Sequence, residues 1–438
     1  MKSSKYNIFI KGDNEIYGIN LLSRSSIEFS LDAYNVFMSL DKYDSENLSL
    51  DDPELNLFIQ NLKDSMFIIE DDFDEIAYIR YRSNQERFDK RQLGLVITPT
   101  MGCNFSCHYC FENKDGSYLD NESQNRILKL VAHNIIGKES LNVQWFGGEP
   151  LLALPIIENL SHKLMILAEK ARVEYSATVI TNGALMTEQA SNLLHKMKVK
   201  TVQITLDGDR TLHNRTRFEN HGDKFFDVIL NNIRQASKLF SIKLRVHVSP
   251  FNIPRVVSLI DTLEKEGMKE CIDELYFSPL FNYRQGNKLP QYIADGKKFM
   301  NAEEFAKVQL RLAQKAHKLG FKLSNILDTS YGICTAVREN TLVIDASGNL
   351  LKCYKDVGDN SQAMGTLEKG ITPNNNLLKW MDISVPRDAE CQECKFLPIC
   401  LGGCSKQWQE NAPKEVICTP LKFNADEMLR LYVENIKK

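Results

Sequence analysis

Eleven cysteines carry the chemistry that this 438-residue chain advertises, and their spacing separates them into groups. Cys103, Cys107 and Cys110 sit on one short loop in a C-x3-C-x2-C arrangement. Seven more follow far downstream: Cys334, Cys353, then Cys391-x2-Cys394-x5-Cys400-x3-Cys404, and Cys418. Cys271 fits no spacing and reads as an incidental thiol. Thiolates are soft ligands that suit zinc or iron–sulfur clusters. Three of them on one loop can wrap three corners of a cubane and leave its fourth iron open to a substrate. Cys107-x2-Cys110 alone would equally suit a zinc knuckle, and seven thiols at the downstream density would suit a two-zinc module.

Composition narrows the setting. With 43% hydrophobic and 25% charged residues the chain reads as an ordinary globular protein, and a formal net charge of −3 lacks the basic excess of a nucleic-acid binder. No apolar run reaches the length of a membrane span, and the N-terminus has no secretory signal core, so no membrane partner and a cytoplasmic location are expected. In a reducing compartment clustered thiols are metal ligands or redox groups more often than disulfides.

The elements that must position these thiols fall into three sections. Residues 1–90 read as a small α+β unit: Tyr6–Lys11 and Glu15–Asn20 flank a Gly-Asp-Asn turn, a short helix follows Ser30, and a second opens at Asp52-Pro53. Met66–Ile69 is a further short strand, and the acidic run Glu70–Glu75 leads into a connecting helix. Residues 91–320 alternate strand and helix, with strands at Gly94–Pro99, Leu141–Phe146, Ala177–Thr181, Thr201–Leu206, Leu244–Val248 and Leu275–Ser278. Repeated βα units imply a parallel sheet with its site at the carboxyl ends of the strands, here an α/β partial (β/α)6 TIM-like barrel open on one side. In residues 321–438 the pattern loosens and metal would be needed to hold the segment.

Polar and glycine-rich motifs fall at successive strand ends. The cysteine loop follows the first strand, Gly147-Gly148-Glu149-Pro150 the second, Thr181-Asn182-Gly183 the third and Thr205-Leu206-Asp207-Gly208 the fourth. Glycines allow close backbone approach, and the Glu149 carboxylate suits an ammonium. His213, Arg215 and Arg217 follow the fourth motif; a carboxylate or phosphate could meet them, and solvated loop charges are the simpler account. His247 in the fifth strand either faces the interior as a proton-handling group or is a hydrogen-bonded core histidine.

The cysteine loop after the first strand of a βα series, followed by these motifs in order, closely resembles the radical S-adenosylmethionine (SAM) superfamily. The resemblance implies that Cys103, Cys107 and Cys110 hold a [4Fe-4S] cluster whose free iron chelates SAM. Reductive cleavage of SAM then yields a 5′-deoxyadenosyl radical that abstracts hydrogen. Gly147, Gly148 and Glu149 would hold the amino group of SAM. Thr181, Asn182, Thr205 and Asp207 would meet ribose and the methionyl carboxylate, and Tyr109 would pack near adenine. The seven downstream cysteines match the SPASM domain. By that resemblance Cys334, Cys353 and Cys404 hold one auxiliary [4Fe-4S] cluster, and Cys391, Cys394, Cys400 and Cys418 a second. The first of these has three thiolates only, which leaves an iron open to another ligand.

SPASM-bearing relatives mostly modify peptides, so the resemblance implies a maturase that installs a crosslink in a ribosomally synthesised precursor peptide, fed by a flavodoxin- or ferredoxin-type reductant. The N-terminal section resembles, in topology alone, the winged-helix-like unit that recognises precursor leaders by adding a strand to its sheet; a merely structural extension is the alternative. The runner-up is an anaerobic sulfatase-maturase-like enzyme forming formylglycine. Relatives of that type place an aspartate directly after the equivalent of Cys353, where this chain has Tyr354, with Asp356 the nearest acid. Asp356 and His247 are the candidates for acid–base work, and the base itself is not identified. A non-catalytic iron–sulfur or zinc redox sensor would have no use for the SAM motifs at the second and fourth strand ends.

Overall fold

The computed structural model describes residues 1–12, 15–40, 52–107, 109–217, 224–281, 299–324 and 333–436. The expected Asp13-Asn14 hairpin turn lies outside them. The chain divides into two compact units in place of three consecutive sections. One comprises Met1–Arg87, Asn325–Ile333 and Ile383–Lys438; the other comprises Phe88–Ser324 and Cys334–Asp382. The first unit's opening segment ends at Arg87, and the residues after 320 are shared between the units.

In the first unit, β1 (Lys2–Ser3), β2 (Asn7–Lys11), β3 (Glu15–Asn20) and β4 (Ser26–Ser30) lead into α1 (Leu31–Ser39), capped by the Ser30 hydroxyl, which accepts from Ala33 N at 3.1 Å. The strands β2, β3 and β4 form an antiparallel sheet in that order. Next come α2 (Pro53–Asp64), with Asp52 as its cap, β5 (Ile68–Ile69), paired with β1, and α3 (Glu75–Arg87). Ile16, Phe29, Phe37, Leu62, Phe67 and Ile68 make the core of this part. Segments far apart in sequence join in this unit: Arg87 Nη1 donates to Ile383 O at 2.6 Å, and Lys5 Nζ to Gln392 O at 3.0 Å.

The second unit is built on parallel strands β6 (Gln92–Ile97), β7 (Ser140–Trp145), β8 (Glu174–Thr181), β9 (Val199–Leu206), β10 (Ser241–Val248) and β11 (Glu274–Pro279), paired in chain order. Each corresponds to a strand expected from sequence, with ends shifted by a few residues. Helices α4 (Asn121–Asn134) and α5 (Leu154–Ala171) are the crossovers after β6 and β7, and α6 (Glu188–Lys196) follows β8. The short α7 (Arg210–Thr216) precedes α8 (Phe226–Ala236) between β9 and β10, and α9 (Ile253–Lys265) lies between β10 and β11. The loosened section adds strands that periodicity did not reveal. β12 (Thr341–Ile344) pairs parallel with β6, and β13 (Asn349–Leu351), β14 (Gly365–Thr366) and β15 (Gly370–Ile371) extend the sheet antiparallel. These strands are two to four residues long, too short for a period to register.

One correction concerns apolar length. Pro150–Ala171 is long and apolar enough, by composition, to span a bilayer. Its Ile157, Leu160, Leu164 and Ala168 are buried in the hydrophobic core of the second unit, as a crossover helix on a parallel sheet requires. That core also takes Leu244 from β10, which is fully buried. Replacing it by alanine is expected to destabilise this unit by about 2–5 kcal/mol through lost burial and a residual cavity, measured as a lowered denaturant midpoint.

Candidate active site at the strand carboxyl ends

The loop after β6 is seated on the turn after β7 by direct backbone contact. A Cβ on Gly148 would lie 2.1 Å from the Gly102 carbonyl oxygen, so only glycine permits the approach. Gly147 has φ +116°, and a Cβ there would meet Thr98 Cγ2 at 2.3 Å. Glu149 N donates to Gly102 O at 2.8 Å and completes the seam. The backbone that these glycines admit is the protein's own, immediately before Cys103.

The same turn is tied to the third strand end. Glu149 is fully buried, and its carboxylate accepts from Thr181 Oγ1 at 2.7 Å, Asn182 N at 2.8 Å and Leu151 N at 3.1 Å. Burial still raises its pKa. Asn182 Nδ2 donates to Asn104 Oδ1 at 2.8 Å, which links the third strand end to the cysteine loop. Three strand ends are thus joined by one hydrogen-bonded network.

Cys103, Cys107 and Cys110 open onto a cavity of about 360 Å³, together with Tyr109, Gly147, Gly148, Thr181, Asn182, Thr205 and His247 from the sequence-derived set. Burial pushes the Cys103 thiol up to about 12 and raises Cys107 and Cys110, with Lys114 and Arg217 acting in the opposite sense. Among the described residues no three His, Cys, Asp or Glu side chains are placed to hold a single metal ion. The thiolates of a cubane bind separate irons and need no such convergence. The Asn104 amide nitrogen is buried without an acceptor beside Cys103, and a thiolate-held cluster with accepting sulfurs fits that donor.

Asp207 and Glu149 do not line the cavity, and Asp207 stands behind Tyr109 in a buried group. The Tyr109 hydroxyl donates to Asp207, accepts from Arg217 Nη1 at 2.8 Å and lies 3.4 Å from His247 Nδ1. The Tyr109 and His247 rings meet edge to face at 5.3 Å. Against the pull of burial, Arg217 and His247 hold the Asp207 carboxyl well below the usual range. Burial lowers His247, so its imidazole is neutral near pH 7. Of the three basic residues after the fourth strand, Arg217 is buried in this group, Arg215 is exposed and His213 is fully buried on α7.

Sequence reading passed over Arg245, whose Nε donates to Thr205 Oγ1 at 3.1 Å, and an aromatic wall of Phe111, Phe146, Phe281 and Tyr354. Arg245 stands two residues before His247 on β10, so strand alternation could have found it. The wall could not be found that way, because its rings come from four separate segments. Asp356 is buried and does not line the cavity; it raises the pKa of Cys353, whose thiol is pushed up to about 12, chiefly by burial.

A second thiol group lies in the first unit. Cys391, Cys394, Cys400 and Cys418 line one hollow of about 30 Å³ with Trp408, Lys414 and Lys422. Asp388 Oδ1 accepts from Cys391 N at 2.7 Å, and Gly403, at φ +81°, leaves room for the Ile417 carbonyl. Cys334 and Cys353 belong to the second unit and Cys404 to the first. Cys271 is half-buried and packs against the core of the second unit.

Gly148→Ala is expected to displace the cysteine loop, with SAM binding weakened about tenfold or more, a loss of about 1.4 kcal/mol. Equilibrium binding on a variant with the parent's circular dichroism checks this. Burial holds the His213 imidazole down to about 3, from an ordinary 6.5. The unfolded chain therefore takes up a proton that the folded chain refuses, and stability falls as pH drops below about 6.5. Denaturant midpoints between pH 6.5 and 5 should fall less steeply for His213→Gln, by up to about 1.4 kcal/mol per pH unit.

Comparison with known proteins agrees with this geometry. Residues 97–275 match the radical SAM superfamily. The chain is 25% identical over 428 residues to the radical SAM cyclopropyl synthase TigE of Paramaledivibacter caminithermalis, covering 90% of this chain and 83% of that one. It is 26% identical over 389 residues to a cysteine-type anaerobic sulfatase-maturating enzyme of Clostridium perfringens, covering 79% and 95%. The fold is shared with Streptococcus suis SuiB bound to precursor peptide SuiA, at TM-score 0.53 and 17% identity, over 96% of this chain and 99% of that one. The family brings SAM and a [4Fe-4S] cluster with it. Residues 97–275 are a radical SAM domain, and the chain is an enzyme that carries it.

Proposed function

We propose that the enzyme is a maturase that installs a carbon–carbon or carbon–heteroatom crosslink in a ribosomally synthesised precursor peptide. The observation that carries this reading is the pairing, in one chain, of three thiols on the strand-end cavity with a separate four-thiol hollow. A radical reaction that ends in a new bond must discard an electron, and a second thiolate-held cluster is a suitable acceptor. Similarity to TigE and the fold shared with peptide-bound SuiB support a peptide substrate.

In this reading Cys103, Cys107 and Cys110 hold the cluster that binds SAM. SAM, when bound there, would supply the radical chemistry that removes one hydrogen from the peptide. Gly147 and Gly148 keep the cysteine loop against the second strand end, while Thr181, Asn182, Thr205 and Tyr109 face the cofactor. Neutral His247, beside the Tyr109–Asp207–Arg217 group, is the residue best suited to accept the proton lost as the new bond closes. Cys391, Cys394, Cys400 and Cys418 hold one auxiliary cluster, and Cys334 and Cys353 belong to the other. Residues 1–90 recognise the leader of the precursor by strand addition. The reductant is of flavodoxin or ferredoxin type.

A second reading, formylglycine formation on a protein partner, is supported by the similarity to the sulfatase-maturating enzyme. Tyr354 weighs against it. Where relatives of that type carry an aspartate, this chain has an aromatic ring packed on Phe146 at 5.3 Å in the cavity wall.

Anaerobic co-expression with short reading frames beside the gene, followed by accurate mass, tests the proposal. A peptide lighter by a pair of hydrogens, unchanged when Cys103→Ala is used, is expected. Unmodified peptides beside active SAM cleavage would overturn the crosslinking reading in favour of the second.

A further inference from the structure

Lys352 is one of the largest side chains buried in this protein, with 2% exposure, and it immediately precedes Cys353. Its ammonium donates to the carbonyl oxygens of Arg338, Glu339 at 3.3 Å and Thr341 at 2.8 Å. Those three bonds use all three ammonium donors. The acceptors are neutral carbonyls, and among the described residues no carboxylate forms an ion pair with the ammonium. A buried cation without a counter-ion is strongly disfavoured. The charges that act on it are the Glu339 carboxylate and, after it, the Cys334 thiol. Cys353 is its neighbour in the chain, and Cys334 begins the turn, Thr335–Val337, that delivers Arg338.

The geometry gives Lys352 two connected effects. From the end of β13 it reaches back to the segment just before β12, so it fastens the stretch that follows Cys334 to the stretch that carries Cys353. It also brings a positive charge within electrostatic reach of Cys334. We propose that Lys352 is a positioning residue and counter-charge for the auxiliary cluster bound through Cys334 and Cys353. This rests on the reading of those two cysteines as cluster ligands. A cluster gains negative charge on reduction, so a fixed cation beside it favours the reduced form and raises its potential.

The test uses anaerobically reconstituted full-length enzyme, with iron counted and each cluster titrated electrochemically by electron paramagnetic resonance. Cys353→Ala identifies the signal of the cluster in question; an unchanged iron count and spectrum in that variant would sink the ligand reading itself. Given that assignment, Lys352→Met should leave the other clusters unmoved. The assigned cluster should be about tenfold less reduced at a given potential, a shift of about 59 mV for one electron, or be lost alone. Parent iron content with parent potentials would overturn the proposal. Should the neutral variant not fold, Lys352→Arg keeps the charge and is expected to retain this cluster near the parent potential; a selective loss or lowering there would overturn it.

Discussion

The seat of the cysteine loop on Gly148 is the contact on which the site depends. Parallel pairing sets adjacent strand ends side by side, and a loop leaving β6 would ordinarily be held off its neighbour by a side chain. Without a Cβ at Gly148, the Gly102 carbonyl descends onto the turn after β7 and Glu149 N binds it. The third strand end is reached from this seam. The Glu149 carboxylate carries it to Thr181 and Asn182, and Asn182 returns it to Asn104 between the first two cysteines. The glutamate, which residue type alone suggests as a ligand contact, is thus a brace for the loop and the third strand end.

Electrostatics around this brace set the cost of loading a metal on the cysteine loop. Burial raises the three thiols, so in the metal-free chain they remain protonated, and a cluster bound there would release their protons. Lys114 and Arg217 act against that penalty. Arg217 also pairs with Asp207 at 3.6 Å and donates to Tyr109, so one guanidinium serves both the thiol loop and the polar group behind the cavity. The remaining wall is aromatic, which suits an organic substrate held close to a radical and shielded from water.

The four-thiol hollow is organised by different means. Helices of only four or five residues and positive-φ glycines place its cysteines, with Lys414 bridging Asp388 and Glu390 at its rim. So few regular hydrogen bonds give that segment little stability of its own. It shares its unit with the N-terminal strands, through bonds such as Lys5 to Gln392.

The amino-acid sequence by itself determined the parallel strand series, its helices and the order of motifs at the strand ends, because each rests on local periodicity and spacing. It also singled out the cysteines, since thiol spacing on a short loop is a local property. Tertiary structure alone decided that Glu149 braces rather than lines, that Asp207 lies behind Tyr109, and that Arg245 and four separate aromatic residues share the cavity wall. It likewise joined the first strands and the last cysteines in one unit and revealed β12 as a partner of β6. These outcomes depend on pairings between residues tens to hundreds of positions apart, and on which groups burial forces to find partners. Nothing in the neighbouring sequence encodes such pairings until the chain has folded.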